Sequence, residues 1–143
     1  MADRELDRED VTALLGRIAT AWADCDADAA AACFTEDAVY MEPPDRQLFV
    51  GRPQLRDYFS PLRPGTYLEI HHVWFDASAQ TGVFEFTFGM EARDEADHGT
   101  VVFRIDDRRI GSWREYQRRG PTPFERFVAS DGKAWDWHAG NYP

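Results

Sequence analysis

Cysteine is scarce, with two residues, Cys25 and Cys33, in a chain of 143. Both sit in alanine-rich, helical-looking sequence, so buried free thiols are expected rather than a disulfide framework. Long apolar runs are also missing, and none approaches the roughly 20 residues that span a bilayer. The opening residues Met1-Ala2-Asp3-Arg4-Glu5 are charged and lack an apolar stretch, so a cytoplasmic protein without a secretory leader is expected. Basic charge is in deficit, with 16 Lys and Arg against 26 Asp and Glu and a net charge of -10. Such a chain repels phosphate backbones and anionic lipid, which argues against nucleic acid and membrane surfaces as partners. No phosphate loop, dinucleotide fingerprint, Gly-x-Ser-x-Gly elbow, H-x-H or H-E-x-x-H spacing occurs, so no cofactor or metal is expected.

Aromatic residues are abundant. They make up 14% of the chain, and they are good walls for an apolar pocket. The length fits one domain, residues 1–143, with no internal repeat or linker. Val11, Leu14, Leu15, Ile18 and Trp22 form one face of a long helix, with Asp7 or Asp10 as its cap. Asp26 can cap a second, short helix through residues 29–34. A short strand at 38–41 ends at Pro43-Pro44, and Gly51-Arg52-Pro53 opens a third helix bearing Leu55, Tyr58, Phe59 and Leu62.

From residue 66 the apolar period changes to two. Strands are expected at 66–75, 81–92, 99–105 and 110–118, joined by short polar connections that favour antiparallel hairpins. Thr122-Pro123-Phe124-Glu125 fits a capping box before a last short helix. The aromatic tail Trp135-Asp136-Trp137-His138 is expected to pack on the domain, a partner or a pocket mouth. Helices first and a strand meander after them predict an α+β fold.

The chemistry concentrates on the last strand. Trp113 and Glu115 are two apart, so they share a face. If that face lines a cavity, the apolar wall raises the pKa of the carboxyl toward neutrality, where a general acid or base works. The other reading has Glu115 salt-bridged to Arg104 or Arg118. The arginines of the last two strands, Arg104, Arg108, Arg109, Arg114, Arg118 and Arg119, could form an anion-binding patch, but in so acidic a chain they are expected to form a solvated face paired with Asp and Glu. On the second long strand, Phe84, Phe86, Phe88 and Met90 share one side and Glu85, Thr87 and Glu91 the other. The apolar side must face either the helices or a second subunit. His71 and His72 point to opposite faces, with His71 the better candidate for the interior, where it can relay a proton.

This order of elements resembles the nuclear-transport-factor-2-like cone fold, shared by SnoaL-like polyketide cyclases, ketosteroid isomerases and limonene epoxide hydrolases. Phe34-Thr35-Glu36-Asp37-Ala38-Val39-Tyr40, Val50-Gly51-Arg52 and Ile110-Gly111-Ser112-Trp113-Arg114-Glu115-Tyr116 carry the likeness. The resemblance implies a cone-shaped, curved antiparallel sheet packed against three N-terminal helices around an interior pocket.

The pattern of the limonene epoxide hydrolases is the nearest. Their Tyr and Asn, two apart after the first short strand, correspond to Tyr40 and Glu42, and their Trp and Asp on the last strand to Trp113 and Glu115. Their middle-strand Asp corresponds to Glu85, but Val83 stands where their Arg belongs, so the Asp-Arg-Asp relay is incomplete. Placing Glu85 inside also turns the Phe84 side outward and requires a dimer interface there.

The resemblance therefore implies cofactor-free acid–base chemistry on a small, apolar, oxygenated molecule such as a polyketide or terpenoid. Candidate reactions are isomerisation, cyclisation, dehydration and epoxide opening. Glu115, Glu42, Tyr40 and Glu85 are the catalytic candidates, with Trp113, His71, Tyr58 and Phe59 holding the substrate. A homodimer through the sheet is expected. The alternative is a non-catalytic module of the same fold that binds a ligand or a partner protein.

Overall fold

The computed structural model describes residues 4–129; the aromatic tail at 135–138 lies outside them. Helix α1 (Arg8–Ala23) starts at a reciprocal cap. The Asp10 amide donates to the Asp7 side chain at 2.9 Å and the Asp7 amide to the Asp10 side chain at 3.0 Å. This satisfies two of the amides that a helix start leaves open. The stripe Val11, Leu14, Leu15, Ile18 and Trp22 is buried, as its spacing requires. Helix α2 (Ala27–Ala32) is capped by Asp26 and stops before Phe34, which the sequence reading had placed in the helix. Both cysteines are free, Cys33 buried and Cys25 half-buried.

Strand β1 (Phe34–Glu42) is longer than the four residues expected, and a sixth strand, β2 (Gln47–Val50), folds back on it. Gly51 then takes φ +88°, the left-handed region that favours glycine, and opens α3 (Arg52–Phe59) with proline in its first turn. Strands β3 (Thr66–Asp76), β4 (Thr81–Met90), β5 (Glu95–Asp106) and β6 (Arg109–Pro121) form the meander. The last two are longer than expected, because residues 95–98 pair with residues 118–121.

The six strands form one curved, open sheet in the order β2-β1-β6-β5-β4-β3. Every pairing is antiparallel except one: β1 runs parallel to β6, a detail the expected curved antiparallel sheet did not specify. The parallel seam follows from chain order, since α2 delivers Phe34 beside Ile110 and both strands then leave in the same direction.

Helices α1 to α3 cover one face of the sheet. Phe84 and Phe86 are buried toward them, so the apolar side of β4 faces the helices and needs no second subunit. On the opposite face, α4 (Phe124–Val128) folds back onto the sheet. Its expected capping box is not formed: Pro123 is the N-cap, and the Thr122 hydroxyl donates instead to the Asp94 carbonyl at 2.9 Å. Phe124 stacks on His71 and Phe127 on His98. Among the described residues no helix is long and apolar enough to cross a membrane.

Candidate active site

A cavity of about 260 Å³ opens between α1, α3 and the inner face of the sheet. Its centre is set by strand register. Tyr40 on β1 lies opposite Trp113 on β6 in the parallel seam, and the two rings stack at 5.1 Å and 13°. Two residues on, along the same faces, come Glu42 and Glu115. In the β1–β2 hairpin, Glu42 pairs with Gln47 and Tyr40 with Phe49. The hairpin thus brings an amide side chain to the carboxylate on β6.

Glu115 is 6% exposed. Three donors converge on its carboxylate: Gln47 Nε2–H on Oε1 at 2.5 Å, and Tyr40 O–H and Trp113 Nε1–H on Oε2, each at 3.4 Å. Arg104 is taken by Asp106, and among the described residues no cation lies within salt-bridge distance of Glu115. Burial therefore dominates. It raises the carboxyl from 4.5 to about 7, with the charge of Glu42 adding to the rise and the three donors opposing it. Both protonation states are populated near neutral pH, as a group that takes and returns a proton requires. Burial likewise lifts Tyr58 to about 12 and Tyr40 well above its ordinary value, so both phenols stay protonated and remain donors.

Glu42 is half-buried at the rim, where Gln117 donates to it at 3.3 Å. Tyr58 and Phe59 wall the cavity, as expected of them. Two candidates lie elsewhere. Glu85 is on the opposite face of the sheet, 2.8 Å from His72, because Phe84 and Phe86 take the inner side of β4. His71 is also on that opposite face. Its Nε2 contacts the Thr87 hydroxyl at 2.7 Å, and its ring lies under Phe124. Glu85 is excluded by the alternation of β4, but His71 is excluded by a register shift in β3 between Ile70 and His72, which turns both histidines to the outer face and corrects the expectation that they point to opposite faces.

The residues that sequence reading missed are Gln47, Asp97 and Gln117, together with the walls Trp22, Phe86 and Phe88. Residues 47–50 carry no polar/apolar alternation, so no periodic signal for β2 was available. The expected pairing of the last-strand arginines with acids holds for Arg104, Arg109 and Arg119, whereas Arg114 Nε is buried without a partner among the described residues and Arg108 donates to the Arg4 carbonyl. Arg119 pairs with Asp97 at 3.0 Å and Arg109 with Asp107 at 3.7 Å.

The SnoaL-like domain model matches residues 15–113. The chain belongs to this family. Solved structures of the same fold include three whose names indicate chemistry. A putative ketosteroid isomerase from Kribbella flavida shares 18% identity, with 85% of this chain and 89% of that one covered and a TM-score of 0.65. A limonene-epoxide-hydrolase-like epoxide hydrolase from M. tuberculosis shares 20% identity, with 77% and 84% covered and a TM-score of 0.63. SalBIII, an epoxide hydrolase/cyclase-like enzyme of pyran ring formation in the polyether salinomycin, shares 19% identity, with 81% and 97% covered and a TM-score of 0.67. At these identities the likeness is one of fold, and a fold hosts many chemistries. No curated protein matches the chain.

Proposed function

We propose that this SnoaL-like protein is a cofactor-free enzyme that moves a proton within a small, largely apolar, oxygenated molecule, with Glu115 as the acid–base group. The observation that carries the reading is a single carboxylate held deep in an aromatic cavity, met by three donors and, among the described residues, no cation. In its ionised form Glu115 removes a proton from a C–H next to a carbonyl, or from a hydroxyl. Negative charge then develops on the substrate oxygen, and the protonated Tyr58 is a donor able to stabilise it. Protonated Glu115 returns the proton at a second position. Isomerisation and aldol-type cyclisation need only this one group. Water activation by an Asp-Arg-Asp relay is not supported, because among the described residues no arginine lines the cavity and Glu85 is outside it.

The test is turnover against a panel of unsaturated ketones, lactones and epoxides in heavy water, followed by mass spectrometry. The wild type should incorporate deuterium or convert at least one class. Glu115→Gln should lose about 100-fold or more, the usual weight of a general base. Equal activity of the two proteins would remove Glu115 from the mechanism. Binding without any conversion by the wild type would favour a ligand-binding module instead.

A further inference from the structure

The lining of the cavity is chemically lopsided. Its walls carry the aromatic rings of Trp22, Tyr58, Phe59, Phe86, Phe88 and Trp113. Its ionisable acids are Glu42, Asp97 and Glu115, and among the described residues no lysine, arginine or histidine lines it. Asp97 is held by Arg119 at 3.0 and 3.1 Å, so its charge is largely spent. Among the described residues the Glu42 carboxylate accepts from the neutral Gln117 amide alone, and it sits at the rim. A ligand entering here meets aromatic side chains, whose ring faces attract cations where they are presented, and carboxylates that among the described lining residues no cation balances. An anionic ligand would be desolvated with nothing to pair it.

We propose that the substrate is an amine, with its ammonium group lodged between the aromatic walls and Glu42 and its neutral, oxygenated part directed to Glu115. The proposal rests on the reading of this cavity as the working site, and it names the substrate class. The dimensions agree. A cavity of about 260 Å³ equals the liquid volume of roughly nine waters, room for a molecule of on the order of ten non-hydrogen atoms. The chain's net charge of -10 adds a favourable long-range field for a cation.

A matched trio of probes tests this: 3-hydroxyphenyltrimethylammonium, its neutral isostere 3-tert-butylphenol, and 3-hydroxybenzenesulfonate. Affinities are measured by calorimetry at low ionic strength, and the indole N–H resonances of Trp22 and Trp113 report the site. The cation should bind ~10-fold or more tighter than the neutral isostere, a factor within the range of desolvated cation–π contacts, and the sulfonate should not bind. Glu42→Gln, a rim substitution of similar size, should cut the preference for the cation by roughly threefold and leave the neutral probe unchanged.

Equal or tighter binding of the neutral isostere overturns the amine assignment, and so does absence of cation binding at millimolar concentration. The two readings fail separately. Conversion of uncharged substrates that depends on Glu115, without a preference for the cation, keeps the proton-transfer chemistry and removes the amine. A preference for the cation with full activity in Glu115→Gln does the reverse.

Discussion

Glu115 owes its properties to opposing effects that can be separated by substitution. Removal from water favours the neutral acid, and three donors favour the carboxylate; the balance falls at about 7. Gln47 contributes the shortest of the three contacts. Gln47→Leu deletes a donor that serves the charged form and should move the Glu115 midpoint upward. The pH–rate profile of a converted substrate checks this: its rising limb should shift to higher pH, with a loss of roughly 1.5–3 kcal/mol in stabilisation of the ionised state as the upper range for a bond to a charged group. An unshifted profile would mean that Gln47 does not act on the carboxylate. Tyr40 and Trp113 are less clean subjects, because they are 1% exposed and stacked on each other in the core.

Secondary-structure elements place these residues, and the β5–β6 seam matters most. Gly99 faces Gln117 there, two residues from the Val101–Glu115 pair. A Cβ on Gly99 would meet the Tyr116 carbonyl oxygen at 1.9 Å, a backbone contact that cannot swing away. Gly99→Ala should therefore cost about 2 kcal/mol or more, read as a lowered denaturation midpoint, because overpacking forces the two strands apart. A neutral substitution would show that the seam is looser than described.

The same seam explains what was legible in the sequence. Strict alternation in β6 announced that Trp113 and Glu115 share a face, and the helical stripe of α1 announced its buried side. Tyr40 and Glu42 were brought together by the family resemblance rather than by the local pattern, because the expected strand stopped at residue 41, whereas β1 carries both. Three features were not legible. Strand β2 is four residues long, too short for a periodic signal to stand out. The parallel pairing of β1 with β6 is a long-range choice that no local pattern encodes. The inward face of β4 was left between two readings, because alternation fixes which residues go together and not which way they turn. Burial of Phe84 and Phe86 decides it, and with it the exclusion of Glu85.

At the scale of the whole molecule, the cavity is a cost that folding carries. Between the ordinary carboxyl value of 4.5 and the folded value of about 7, the native chain holds a proton at Glu115 that the unfolded chain has released. Stability contributed by this group is therefore greatest below 4.5, declines as pH rises, and is lost above 7, with a total of about 3 kcal/mol. A fold that keeps such a group spends stability on a poised acid, which is the pattern of a working site rather than of a filled core. The central claim is that the chain buries one carboxylate at neutral poise, and titration of the Glu115 side-chain carbon by NMR, assigned by its loss in Glu115→Gln, tests it most directly. The account predicts a midpoint near 7; a midpoint in the ordinary range near 4.5 would contradict it.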